Sequence, residues 1–507
     1  MKILFIDPTL SENERCNIGL GYLSGVLLNE GHDVKVINYA NNMDWINSNI
    51  RDFHPDIIGF SIKSSVPYQA AEIADKMDRG KSYVICGGSH IIIDGYNFMK
   101  ENPHFDLAAC GESEDTILEI INFLNGTKRL EDIKGIVART SDGELLVTES
   151  LGILKDLDRL PMPNYTTFDF YSPFPKLKRF DYFKDSIADY YMITSRGCPY
   201  KCTYCNAPQT LGHRWRVRSL DTIISEIRHV KKTYKNVDFI NIADDNFTLD
   251  KKRAKKILRE IIDKNLNIKW KLPNGVRADK LDDELVGLMK ESGCVSIMLG
   301  VESGSPEVFN RIKKGETIED VAAAAKLVKK YGIRLVGSFI IGLPYSNYKR
   351  DMETVRFAKR LQFDRTIFNL LVPYATTEAY RILVNDLDAK FLHDWRDTPI
   401  QFHDRKPFCA FETPDYLEKE RILAYMKANL AFYNYDFIRN RYQSKLSPLR
   451  LLNLLWIVMR YDTVNLPNHL QRMGILFFRA LKRRYRRLFL QAQTGIDDSN
   501  IRGDRVG

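Results

Sequence analysis

The chain has 507 residues, more than a single hydrophobic core serves, and two or three domains are expected. Its 44% hydrophobic and 28% charged residues are the balance of a soluble globular protein; no signal peptide opens it and its longest apolar stretch, LLNLLWIVM from Leu451, is about half a membrane-spanning helix, so a cytoplasmic location is expected. The net charge of +10 collects near the C-terminus, in FFRALKRRYRRLF, without a zinc finger, homeodomain or ribonucleoprotein signature, and no nucleic-acid partner is expected.

The first 150 residues alternate short apolar runs with helical patterns. KILFID, DVKVINY, DIIGFS, SYVICGG and DLAAC read as buried strands, with segments such as IGLGYLSGVLLNEG between them as helices. This predicts a doubly wound parallel sheet, an α/β domain of Rossmann-like type. Ser61, Gly87, Gly88 and Gly111 fall at strand ends, where the backbone either approaches a ligand at the carboxyl edge or makes a tight turn. Residues 151–188, rich in Pro, Asp and aromatics, read as an ordered linker.

A second series follows over 189–395, with strands expected at 190–195, 237–242, 268–274, 295–301, 333–342 and 364–372. Six strand–helix units in succession predict a complete or partial TIM-type barrel with its active site at the carboxyl ends of the strands. From 396 to 507 the pattern is mainly helical and basic. There GILFFRALKRRYRRLFLQ, from Gly474, sets Phe477, Leu481, Tyr485 and Leu488 on one helical face and Arg479, Lys482, Arg483, Arg486 and Arg487 largely elsewhere. Such a helix either makes peripheral contact with an anionic membrane or packs on the barrel with its basic face in water.

Eight cysteines are too few and too unevenly placed for a disulfide framework. Three of them, Cys198, Cys202 and Cys205, stand in SRGCPYKCTYCNAPQ, just after the first strand of the second series. Three thiolates are one ligand short of a structural zinc site or a closed iron–sulfur cluster. For zinc, His213 would have to complete the set; for a four-iron cluster, one iron would stay open to a small molecule.

These residues resemble the signature of radical S-adenosylmethionine enzymes, with Tyr204 before the third cysteine as is usual there. NIADDNFT, after the second strand, is similar to the motif that holds the amino group of S-adenosylmethionine, which implicates Asp244 and Asp245 unless they form a solvated loop. LGVESGS places Glu302 where the family meets the ribose hydroxyls, a helix-capping role being the other reading, and VGSFIIGLP fits the strand that supports the adenine. Arg277, in NGVRAD, would pair with a carboxylate of the cofactor or with an acidic neighbour. The resemblance implies a 4Fe-4S cluster on Cys198, Cys202 and Cys205, reductive cleavage of S-adenosylmethionine to a 5′-deoxyadenosyl radical, and a low-potential electron donor such as flavodoxin or ferredoxin.

The first domain resembles the cobalamin-binding domain joined to such barrels, through NIGLGYLSGVLLNEGHDVKVIN, DIIGFSIKSS, VICGGSH and DLAACGESEDTILEI. It departs from classical cobalamin proteins in lacking D-x-H-x-x-G; DPTLSENERCNIGL stands there instead, so cobalamin would be held near Ser61, Gly87, Gly88 and Gly111 without a histidine on cobalt. The implied reaction is cobalamin-dependent methylation of an unactivated carbon, or of phosphorus, in a small-molecule or lipid-like substrate. Radical-driven cyclisation or rearrangement is the alternative enzyme reading. A methylthiotransferase would carry further N-terminal cysteines and an RNA-binding domain, and a cobalamin-binding sensor would not need the three clustered thiols.

Overall fold

The computed structural model describes residues 1–8, 17–39, 42–64, 66–169, 189–234, 237–397 and 409–432. Cys16 and the basic stretch from Gly474 lie outside the described residues. Met1–Tyr425 form one compact unit.

The first sheet has seven strands: β1 (Lys2–Asp7), β2 (Asp33–Asn38), β3 (Ile57–Ser61), β4 (Tyr83–Gly87), β5 (Leu107–Ala109), β6 (Ile136–Arg139) and β7 (Leu145–Val147). They lie in the order β2-β1-β3-β4-β5-β6-β7, the first five parallel. Alternation decides the faces. Leu4, Ile6, Ile58, Val84 and Ala108 enter one buried cluster, while Ile3, Phe5, Ile57, Ile85 and Leu107 enter another. The chain then turns back, and β6 and β7 extend the sheet as an antiparallel edge. That edge was not among the expected strands; four and three residues are too short a run to set a period.

The second sheet holds β8 (Asp189–Met192), β11 (Phe239–Ile242), β12 (Trp270–Val276), β13 (Cys294–Glu302), β14 (Arg334–Ile341) and β15 (Arg365–Leu370), paired in that order and all parallel, with β8 and β15 as its edges. A two-residue pair, β9 (Ser195–Arg196) and β10 (Arg216–Val217), stands apart from it. This is the partial barrel expected from the second series. Its helices begin where the sequence supplies a cap: the side chains of Ser219, Asp250, Asp282 and Asn347 each accept a backbone N–H of the first turn, and Thr317 with Asp320 closes a capping box.

The segment after β7 packs closely on the helix Ile18–Asn29. A Cβ on Gly21 would stand 2.6 Å from the Tyr165 ring, and one on Gly25 would stand 2.4 Å from the carbonyl oxygen of Met162. Tyr22, Leu157, Leu160 and Ile193 form a small core across this contact, so helix, connecting segment and barrel share buried surface. Among the described residues no helix is long and apolar enough to cross a membrane.

Candidate active site

The antiparallel pair β9–β10 sets Arg196 opposite Arg216 and closes the base of a loop, 197–215, that carries all three clustered cysteines. Gly197 opens the loop at φ 86, and a Cβ there would come 2.4 Å from the Arg214 carbonyl oxygen, so only glycine fits. The amide of Cys198 donates to Gly212 at 3.2 Å, that of Cys205 to Cys202 at 3.1 Å, and that of Thr203 to Ile312 at 3.0 Å. Cys198, Cys202 and Cys205 are each half-buried. Burial raises all three thiols, Cys205 to about 12, while the charges of Lys314 and Arg277 pull Cys202 the other way. Such thiols stay protonated until a metal displaces the proton.

Among the described residues no three His, Cys, Asp or Glu side chains converge on one ion position, and His213 is exposed. A single zinc ion therefore has no prepared site on this loop. A four-iron cluster takes each thiolate on a different iron, so its ligands surround a volume, and three half-buried thiols on one closed loop fit that requirement.

Asp244 is no solvated loop residue. It is 3% exposed and accepts the Thr194 amide at 2.5 Å, the Thr194 hydroxyl at 2.5 Å and the Ser195 hydroxyl at 2.6 Å, fixing the chain just ahead of the cysteine loop. Asp245 accepts the Gly197 amide at 3.1 Å, and burial pushes its carboxyl up to about 6. Arg277 finds its acidic partner in Asp279 (Nε–Oδ1 2.9 Å), donates to the carbonyls of Lys314 and Gly315, and lies 3.8 Å from the centroid of the Tyr200 ring. Glu302 sits at a bulge of β13 with φ 65, buried, its carboxylate accepting the Tyr204 hydroxyl and standing 3.5 Å from Lys314 Nζ. The helix that follows, Pro306–Arg311, has no side-chain cap, so Glu302 is not a capping partner.

At the carboxyl edge of the first sheet Ser61 and Gly87 are register partners. The Ser61 hydroxyl accepts from Asn17 Nδ2 at 2.9 Å, and the same amide reaches Asp7 Oδ2 at 3.2 Å. Gly88 is required both by its φ of 100 and by packing, since a Cβ would stand 2.7 Å from the Ile62 carbonyl oxygen; one on Gly111 would stand 3.3 Å from Leu151. His90, two residues on, is 1% exposed with Nδ1 unpartnered, its ring 5.5 Å from Trp395 and 5.7 Å from Phe98, and burial lowers its pKa to about 4. An orphaned buried nitrogen beside the Ser61–Gly87 edge is a feature a bound group with a polar periphery can satisfy.

Two features escaped the sequence. Lys314, buried, approaches Glu302, Glu316 at 2.9 Å and the Gly300 carbonyl, whereas adjacent Lys313 is exposed and pairs with Glu378. Nothing in RIKKGET separates the two lysines. The other is a buried set of ion pairs joining Glu112 and Glu114 to Arg196 and Arg216; the Gly-Glu-x-Glu step in DLAACGESEDTILEI marked the two glutamates but not their partners.

Residues 192–358 match the Radical SAM superfamily, and residues 11–121 match the B12 binding domain. An uncharacterized methyltransferase of Pyrococcus horikoshii is 32% identical over 462 residues, 87% of this chain and 97% of the relative. Cytidylyl-2-hydroxyethylphosphonate methyltransferase of Streptomyces wedmorensis is 27% identical over 398 residues, 68% of this chain and 73% of that protein. The radical S-adenosylmethionine methyltransferase TsrM from Kitasatospora setae shares the fold, with a TM-score of 0.62 at 18% identity over 76% of each chain.

Proposed function

Because the chain belongs to the B12-binding radical S-adenosylmethionine enzymes, we propose that it uses a 4Fe-4S cluster, S-adenosylmethionine and cobalamin to methylate an unactivated carbon, or a phosphorus, of a small-molecule or lipid-like substrate. The observation that carries this reading is the pairing, within one compact unit, of a three-thiol loop after the first barrel strand with the Ser61–Gly87 edge of a parallel sheet. The names of the Pyrococcus and Streptomyces relatives, both methyltransferases, favour methyl transfer over ring formation.

When bound, the cluster and S-adenosylmethionine supply a 5′-deoxyadenosyl radical and the corrinoid supplies a transferable methyl group. Residues 1–150 are assigned to the corrinoid and 189–395 to the radical chemistry. Cys198, Cys202 and Cys205 would hold the cluster and leave one iron without a protein ligand. Glu302 would receive the ribose hydroxyls, its carboxylate oriented by Tyr204 and Lys314. Asp245 is the member of its pair suited to an amino group, since Asp244 spends its oxygens on Thr194 and Ser195. Arg277 acts by holding 314–315 against the Tyr200 side of the loop. Ser61 and Gly87, with Gly88 and Gly111 shaping the turns beside them, would border the corrinoid. A flavodoxin or ferredoxin would deliver the electron, and the basic stretch from Gly474 would make peripheral contact with an anionic membrane, which fits a lipid-like substrate.

The test is anaerobic reconstitution with iron, sulfide and hydroxocobalamin, followed by gel filtration and absorption spectroscopy. Retention of both chromophores supports the reading. A chain that keeps its iron, retains no corrinoid and cleaves S-adenosylmethionine equally well without it would move cyclisation ahead of methylation.

A further inference from the structure

The loop that carries the cysteines is gripped at both ends by one carboxylate of the other domain. Glu112 follows β5 of the first sheet; its Oε1 accepts from Arg196 Nη1 at 2.9 Å and its Oε2 from Arg216 Nη1 at 2.6 Å. Arg196 and Arg216 are cross-strand partners on β9–β10, the two residues between which 197–215 leaves and returns. Glu114 takes the other arm of the first arginine, with Arg196 Nη2 at 2.5 Å. The connecting segment closes the set: the Leu154 amide donates to Glu112 Oε2 at 2.7 Å, and Arg216 donates to the carbonyls of Leu154 and Leu211 at 2.6 and 2.7 Å. Side-chain exposures are 5% and 9% for Glu112 and Glu114, and 8% and 2% for Arg196 and Arg216.

Stability alone does not account for four buried charges. Desolvation consumes most of the attraction in such pairs, and well-packed apolar replacements are often neutral or better. What a guanidinium adds is direction, because its planar fork fixes the angle at which it meets a carboxylate. Burial works against the charge of Glu112, yet the two guanidiniums hold its carboxyl below the usual range. Arg196 is two residues from Cys198, and Leu211 precedes Gly212, which accepts the Cys198 amide. Arg196 thus ties one end of the loop to Glu112 and Glu114, and Arg216 ties the other to Glu112 and to the Leu211 carbonyl beside Gly212.

We propose that Arg196 and Arg216 are positioning residues through which Glu112 and Glu114 of the first domain set the geometry of the cysteine loop, so that the corrinoid-type domain and the cluster site are coupled through this clamp. Its bearing on catalysis rests on the function proposed above; the mechanical claim does not.

The experiment compares the full chain with two variants. Glu112→Gln removes the shared charge. Because it leaves two buried guanidiniums underpaired and can cost the fold, the double variant Arg196→Met with Glu114→Leu removes the Arg196–Glu114 pair and the Arg196 arm on Glu112, and keeps Glu112 on Arg216. Hydrogen–deuterium exchange is read without cofactors. The expected result, in whichever variant keeps the parent unfolding midpoint, is at least tenfold faster exchange across the amides of 197–205, with β1, β3, β13 and β14 unchanged. An unchanged loop overturns the proposal, as does faster exchange spread evenly over both sheets, which is what loss of a merely structural contact produces. On protein reconstituted with and without hydroxocobalamin and then fully reduced with excess dithionite, the electron paramagnetic resonance signal of the reduced cluster should differ between the two preparations of the parent and coincide in those of the double variant. If the parent holds no cluster or corrinoid, the functional reading fails while the exchange result still decides the clamp.

Discussion

The carboxylate of Glu302 lies 3.5 Å from the ammonium of Lys314, which also meets Glu316 at 2.9 Å, all three side chains being buried. One lysine therefore stands between two carboxylates beside the cysteine loop. Lys314→Met removes the direct ion-pair partner of both carboxylates and should destabilise the chain by about 3–5 kcal/mol in chemical denaturation. Glu302→Gln keeps the Tyr204 contact and should cost less in stability, yet it should weaken S-adenosylmethionine binding to the reconstituted protein by roughly tenfold or more, the scale of a lost charged hydrogen bond. Equal affinity by calorimetry would remove Glu302 from the cofactor site.

Replacing any one of Cys198, Cys202 or Cys205 with Ala should abolish both the cluster's absorption and 5′-deoxyadenosine formation. Cys294→Ala and Cys409→Ala should retain both, since these thiols are buried and bond to the nearby carbonyls of Ser296 and Phe411. A triple variant of the clustered cysteines that still yielded 5′-deoxyadenosine would rule out the cluster assignment.

Gly21 and Gly25 permit the connecting segment to pass over the helix Ile18–Asn29. Gly25→Ala meets a backbone oxygen at 2.4 Å, whereas Gly21→Ala meets a side chain, the Tyr165 ring, at 2.6 Å. Both raise helix propensity, but overpacking prevails, and Gly25→Ala should lower stability by about 1–3 kcal/mol, more than Gly21→Ala. The reverse ranking of unfolding midpoints would contradict this packing.

His90 carries a pH dependence whose sign is fixed by burial. Its pKa falls from 6.5 to about 4 in the folded chain, with Arg396 adding to the effect and Asp394 and Glu101 opposing it. Below pH 6.5 the unfolded chain takes up the proton first, so this residue's contribution is fully present above 6.5 and is lost as the pH falls toward 4, by roughly 3 kcal/mol. Stability measured from pH 7 to 4 should show this slope, and His90→Phe should flatten it. An unchanged slope in the variant would place the dependence on other groups.

The parallel strands of both sheets were legible because strand-length apolar runs alternate with capped amphipathic helices, a pattern that a single chain displays without partners. The cysteine loop was legible because three thiols in eight positions have few other uses. Cross-domain chemistry was not. Glu112 and Arg216 are 104 residues apart, and neither carries a local signal that they share a bond. Asp244 and Arg277 stood out in the sequence as candidates for the cofactor, but only the fold shows that Thr194 and Ser195 donate to Asp244 and that Arg277 donates to Asp279. Gly88 looked the same in sequence whether it served a ligand or the Ile62 backbone.

The most direct test of the account is product analysis of the anaerobically reconstituted chain given S-adenosylmethionine, a low-potential reductant and hydroxocobalamin. The account predicts 5′-deoxyadenosine from radical cleavage together with S-adenosylhomocysteine and methylcobalamin from methyl transfer. The first should vanish in the Cys198→Ala chain. A protein holding four irons that forms neither 5′-deoxyadenosine nor methylcobalamin would contradict it.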